Sequence, residues 1–254
     1  MGYKGRDIEV ATLNEEQYLV AACDSSGGIG TKELDVVRVS PNITGRFAAR
    51  VALLEILSVG AMPRIIAVTV TNELEPTGKA ILQGVRDELA SLGMSSLSIV
   101  VSTEKNMPTL QTGVGVSVTG LVKGTAMRVL SSQVGDLVYC LGIPKVGAEV
   151  TSAEDPEAVQ GKHIISLLNN VGVHDIVPVG SQGIKGEAEL LAREISCRFE
   201  PIPCHVDLFK SGGPSTCLIF TSSVAREETW KKEFGTLPLF LVGALVEGSS
   251  ADST

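Results

Sequence analysis

The stretch from Tyr18 to Asp35 limits what the rest of the chain can fold into. It reads Tyr-Leu-Val-Ala-Ala-Cys-Asp-Ser-Ser-Gly-Gly-Ile-Gly-Thr-Lys-Glu-Leu-Asp. The apolar run that opens it has the pattern of a buried strand. Asp24, Ser25, Ser26, Gly27, Gly28, Gly30, Lys32 and Asp35 follow within a few positions. Closely spaced glycines let backbone N–H groups approach a ligand. Adjacent amides in such a loop form an anion-binding concavity. Asp24, expected at the strand end, and Asp35 offer hard oxygen ligands for Mg2+. Lys32 offers a point charge to phosphate. The sum is a magnesium-nucleotide site, although the same residues also suit a polar hairpin around a flexible turn. The spacing is not that of a Walker loop, because Lys32 follows Thr31 and no Gly-Lys-Ser/Thr is present. Nor does a Gly-x-Gly-x-x-Gly open a helix. Val36 to Val39 reads as a second extended segment.

The chain has 254 residues and is 44% hydrophobic, enough for one large domain or two smaller ones. A net charge of −8 argues against a nucleic-acid partner, which calls for a basic face. Cys23, Cys140, Cys197, Cys204 and Cys217 are scattered, and they form no metal-ligand spacing with His163, His174 or His205. Cys23, Cys140 and Cys217 lie in apolar runs and are expected as core thiols of a reduced compartment. No signal-like core and no apolar run of membrane length is present, so the expected location is the cytoplasm, with no membrane partner.

Strands are expected over 18–24, 35–39, 65–71, 97–101 and 113–122. A helix is expected over 45–59, with Asn42 or Thr44 as cap, and a second from Pro76 to about Leu92. The first helix is apolar on most sides and so largely buried. Glu55 shares its face with Ala48, Ala52 and Val59, and a carboxylate there needs a partner, a metal or a proton. Arg46 and Arg50 project from other faces of the wheel. Asp24, Asn72-Glu73 and Thr103-Glu104 recur after strands, where sites tend to be built. A boundary near 124–135 divides the chain into domains 1–125 and 126–254. The second domain is expected to hold a strand at 137–142, a helix over 155–169, and glycine loops at 180–186 and 211–215. Helices over 187–195 and 224–234, further strands at 173–179, 216–221 and 239–245, and a disordered polar tail 248–254 complete it. Helices mixed with hairpins give an α+β fold.

These residues resemble the superfamily of aminoimidazole-ribonucleotide synthetase, thiamine-monophosphate kinase and selenophosphate synthetase over roughly residues 7–246. Asp24 to Lys32 is similar to its Asp-x-x-Gly-x-x-Lys segment. Glu55 to Pro63 is similar to its Asp-x-x-x-x-Gly-Ala-x-Pro helix end, with Glu in place of Asp. Ser102-Thr103-Glu104 stands where relatives carry Gly-Gly-(Asp/Glu)-Thr, here without the double glycine. Gly183 to Ala188 resembles a selenophosphate-synthetase stretch. That branch and the hydrogenase-maturation branch lack their reactive residues here. Cys23 to Lys32 and Arg50 to Glu55 resemble the alpha-ribazole kinase branch. The resemblance implies a two-domain fold whose N-terminal strands complete a barrel across a homodimer. It implies ATP and a small riboside, most closely alpha-ribazole, as substrates. Asp24, Asp35 and Glu55 would hold Mg2+. Asp24 and Lys32 would be the catalytic groups. Ser26, Gly27, Gly28, Gly30, Lys32, Glu104, Gly183 and Gly186 would bind the nucleotide. Another ATP-dependent enzyme of the superfamily, or a nucleotide-binding protein without turnover, are the alternatives.

Overall fold

A computed structural model describes residues 2–150 and 152–248. The expected polar tail lies, from residue 249 on, outside the described residues. The described residues form two compact units. The first comprises 7–127 and the described part of 147–155; the second comprises 2–6, 128–146 and 156–248.

The first unit contains β1 (Ile8–Thr12), β2 (Gln17–Gly27), β3 (Ile29–Gly30), β4 (Val37–Arg38) and α1 (Pro41–Ser58). It continues with β5 (Met62–Val70), α2 (Lys79–Ser91), β6 (Ser98–Thr103) and β7 (Gly113–Lys123). Five strands form a sheet in the order β1-β2-β7-β5-β6. Neighbours are antiparallel except β5 and β6, which α2 connects as a crossover. The alternating valines of β7 explain its two faces. Val114, Val116 and Val118 are buried with Val20, Ile66 and Val68, and α1 packs on β2, β7 and β5. The other face carries the register row Cys23, Ser117, Ala67 and Val100. Cys23 is therefore exposed, contrary to the core role expected for it, because its strand position points away from α1. Cys140 and Cys217 are buried as expected.

Helix α1 starts earlier than expected. Ser40 caps it by accepting from the Asn42 N–H at 3.3 Å, and Pro41 fills the first position. The Thr44 hydroxyl donates instead to the Ile29 carbonyl at 3.1 Å. At the α1–α2 crossing two glycines bring the backbones together. A Cβ on Gly45 would lie 2.1 Å from the Ile81 carbonyl oxygen, and one on Gly84 would lie 2.0 Å from that of Asn42. Arg50 and Glu88, each 1% exposed in the side chain, join the same helices through bonds of 2.7 and 2.8 Å. Arg50 also donates to the Ala153 carbonyl at 2.9 Å, and Arg46 pairs with Glu88 and Glu154. The arginines of α1 thus serve other carboxylates, as their wheel positions imply.

The second unit contains β8 (Leu137–Gly142), α3 (Gly161–Leu168), β9 (Val173–Pro178), α4 (Gly183–Glu194) and β10 (Cys197–Pro201). It ends with β11 (Cys217–Ser222), α5 (Glu227–Phe234) and β12 (Leu239–Glu247). Its sheet runs β10-β12-β8-β11-β9, antiparallel throughout. Val138 and Cys140 share a core with Ile184, Ala188 and Leu191 of α4. On the opposite face Tyr139 stacks on Phe220 at 5.3 Å, and both meet Trp230 of α5 edge-on. The helix expected from residue 155 begins only at Gly161, where Gln160 and His163 form a capping box. Strands β1 and β10, not expected from sequence, are five-residue edge strands that each pair with a single neighbour.

Candidate functional site

Asp24 does not end its strand. Asp24, Ser25, Ser26 and Gly27 pair with Val116, Gly115, Val114 and Gly113. By strand alternation Asp24 shares the face of Val20 and Ala22, which α1 covers. Burial there pushes its carboxyl up to about 6, and a hydrogen bond from the Ser25 backbone offsets only part of the rise.

The expected glycine cradle over 26–30 is corrected by this pairing. Ser26 and Gly27 extend the ladder, and the Gly28 amide donates to the Thr112 carbonyl at 2.9 Å. Gly28, with φ +71°, turns the chain so that its carbonyl accepts from Val36 N–H at 2.7 Å. Gly30 is needed for space, since a Cβ there would sit 2.3 Å from Thr112 Oγ1. These contacts fold 28–39 back on itself, with β3 and β4 pairing in parallel.

Asp35 locks that fold. Its Oδ1 accepts the Thr112 N–H, and its Oδ2 accepts the Thr112 hydroxyl and the Lys32 N–H, each at 2.7 Å. Burial alone would push the Asp35 carboxyl up, but these bonds hold it below the usual range. A carboxylate committed to three short bonds, one within its own turn and two from Thr112 across 77 positions, acts as a structural tie rather than as the free metal ligand expected from sequence. Arg38 closes the other side, donating to the carbonyls of Thr31, Lys32 and Glu33 at 3.3, 2.7 and 2.8 Å.

Lys32 emerges from this turn with its ammonium 2.5 Å from Glu73 Oε2. Glu73 Oε1 accepts the Thr77 hydroxyl at 2.5 Å from the single helical turn Leu74–Gly78. Burial would raise the Glu73 carboxyl, but the bonds from Lys32 and Thr77 outweigh it and hold it at about 2. Glu73 was legible in sequence only as a polar group after a strand. Glu104 turns its Oε1 onto the backbone N–H groups of Asn106, Lys105 and Met107, at 2.7, 2.9 and 3.1 Å. Those bonds, the one from Asn106 first, hold its carboxyl below the usual range. Asn72, fully buried, clamps the returning chain by donating to Thr109 and Gln111 and accepting from Gly113 N–H.

An open cleft of about 510 Å3 results, lined by Lys32, Glu73, Glu104, Lys105, Met107 and Thr109 among others. The structure therefore brings Lys32 and Glu104 together. Asp24, Asp35 and Glu55 do not line this cleft. Glu55 is buried within α1. Among the described residues no three His, Cys, Asp or Glu side chains converge on one point that could hold a metal, so the expected trio does not form a cage. Gly183 and Gly186 belong to the second unit and to α4, not to a loop. Gly183, with φ +72°, packs against the Phe209 backbone, and Gly186 packs against Gln182.

No protein-family model and no curated protein sequence matches the chain. Solved structures do match in fold. The thiamine-monophosphate kinase from Stenotrophomonas maltophilia K279a aligns with a TM-score of 0.67 at 14% identity, covering 95% of this chain and 89% of that one. AaThiL complexed with AMPPCP and TMP aligns at 0.64 and 13%, covering 96% and 85%. T. maritima PurL complexed with ADP aligns at 0.68 and 12%, covering 97% of this chain and 43% of that one. The chain has the α+β fold of these proteins.

Proposed function

We propose that this protein is a Mg-ATP-dependent phosphotransferase whose acceptor is the 5′-hydroxyl of a small riboside, alpha-ribazole first. The observation that carries the reading is Lys32, a cation built into a rigid turn at the edge of an open cleft. Its setting supports it, because fold neighbours were solved with AMPPCP or ADP. The choice of alpha-ribazole rests on the motif resemblance of Cys23 to Lys32 and Arg50 to Glu55. Phosphorylation of thiamine monophosphate is the second reading, favoured by the thiamine-monophosphate kinase neighbours.

Phosphoryl transfer asks little covalent chemistry of a protein and much positioning. The acceptor oxygen bonds to the γ-phosphorus, the bond from the γ-phosphorus to the β–γ bridging oxygen breaks, and the hydroxyl proton leaves to solvent. Lys32 would offset phosphate charge. Mg2+ commonly takes one or two carboxylates and completes its shell with substrate phosphates and water. Among the described residues no three His, Cys, Asp or Glu converge on one point, so an ion would have to complete its shell with the oxygens of the nucleotide. Asp24, which does not line the cleft, is assigned to the ion on the motif resemblance of the stretch Asp24 to Lys32 alone, and when bound the ion would supply charge neutralisation. The uncovered face of the first sheet, which includes Ile65 at 51% and Val100 at 59% exposure, is assigned to a homodimer. No helix among the described residues is long and apolar enough to cross a membrane, and cytoplasmic action is part of the proposal.

The test is product analysis with purified protein, Mg-ATP and, in parallel, alpha-ribazole, thiamine monophosphate and formylglycinamidine ribonucleotide. Alpha-ribazole phosphate formed in step with ADP is the expected result. Turnover of thiamine monophosphate alone would move the protein to the second reading. ATP binding without any product would make it a binding protein.

A further inference from the structure

We infer that Glu73 is a positioning residue: oriented by Thr77, it holds the Lys32 ammonium at the mouth of the cleft before any phosphate arrives. For its ligand the inference rests on the function proposed above. A lysine on a surface turn has a flexible four-carbon stem and loses much rotamer freedom when it engages a ligand. Here that freedom is already removed. The Lys32 N–H is held by Asp35 and its carbonyl by Arg38, so the stem starts from a fixed point. Its far end is fixed by Glu73 Oε2 at 2.5 Å. Glu73 in turn cannot swing aside without giving up the Thr77 hydroxyl on its other oxygen, also at 2.5 Å.

The pair does not read as a stability element. The side chains are 21% and 39% exposed, and ion pairs open to water contribute little to folding. It is not a saturated pair either. An ammonium has three donors, and Glu73 takes one, leaving two for phosphate oxygens. Glu73 stays ionised across the working pH range, so the restraint does not lapse with pH.

The experiment uses the full chain with Glu73→Ala, Glu73→Gln, Thr77→Val, Lys32→Met and the Lys32→Met/Glu73→Ala pair. One readout is independent of nucleotide: acylation of lysines by limiting acetic anhydride, followed by mass spectrometry, with exposed Lys79 and Lys231 as internal standards. Freed of its partner, Lys32 should react about fivefold faster in Glu73→Ala and about twofold faster in Thr77→Val. The second readout is Mg-ATP binding by calorimetry. Glu73→Ala should weaken it about tenfold, Glu73→Gln less, and the double variant no more than Lys32→Met alone, since both residues act through one cation. Unchanged Lys32 acylation in Glu73→Ala and in Thr77→Val overturns the inference whatever the nucleotide does. Tighter binding in Glu73→Ala overturns it too, by making Glu73 a competitor of phosphate. So does an additive loss in the double variant. A wild-type protein that shows the acylation pattern but does not bind Mg-ATP would sink the proposed function and leave the positioning pair standing.

Discussion

At the scale of single residues, Asp24 is expected to act in opposite senses on stability and, under the proposed function, on activity. Its folded-state carboxyl titrates at about 6 against an ordinary 3.8, because burial disfavours the charge. The folded chain therefore holds this proton more tightly than the unfolded one. Stability from this group is highest below pH about 4, falls as pH rises toward 6 and stays reduced above it. The shift corresponds to at most about 3 kcal/mol, less after allowance for its partial exposure. Asp24→Asn should therefore raise the melting temperature at pH 7.5 and leave it unchanged at pH 4, while abolishing Mg-ATP-dependent turnover. In the wild type, Mg-ATP affinity should drop as pH falls through 6, when Asp24 takes up its proton. A melting temperature lowered at pH 7.5 together with normal turnover would refute both assignments. Glu88 is the opposite kind of acid. It is the bidentate partner of a fully buried arginine, so Glu88→Ala should cost about 3–5 kcal/mol in urea unfolding by stranding the Arg50 charge.

At the scale of elements, the crossing of α1 and α2 sets where the start of α1 stands beneath the 28–39 turn. Thr44 in the first turns of α1 reaches the Ile29 carbonyl, and Asn42 reaches Asp87 of α2 at 2.8 Å. Gly84 makes this approach possible. Gly84→Ala would gain intrinsic helix propensity but would drive a methyl into the Asn42 carbonyl, 2.0 Å away. The clash should win, with a net loss of about 1–3 kcal/mol. Differential scanning calorimetry checks the sign. A stabilised variant would mean the helices separate freely, and the turn that presents Lys32 would then not depend on their contact.

At the scale of the whole molecule, no helix among the described residues of the first unit covers the second face of its sheet, whose central row is small or apolar: Cys23, Ser117, Ala67 and Val100. A second copy of the chain is the occupant assigned to it. Light scattering at micromolar concentration should give twice the chain mass. Ser117→Arg, in the middle strand of the face, should halve that mass with little change in the far-ultraviolet circular dichroism. A monomeric wild type would remove the assignment.

The α+β character, the strong strands at 65–71, 113–122 and 137–142 and the buried character of α1 were determined by sequence alone, because apolar periodicity depends only on neighbours in the chain. The inability of Arg46 and Arg50 to share a face with Glu55 was legible for the same reason. Tertiary structure decided the rest. Whether Ser26 and Gly27 form a loop or a strand depends on Gly113 and Val114, nearly ninety positions away, offering free ladder groups. Asp35 became a tie because Thr112 folds onto it. Gly183 and Gly186 became helix because the 208–209 backbone packs against that turn. Glu73 gained its part only when a strand end met the Lys32 turn across forty-one positions. Hydrogen-bond partners distant in sequence leave no local pattern, and in this chain they determine which of its polar residues line the cleft and which hold the frame.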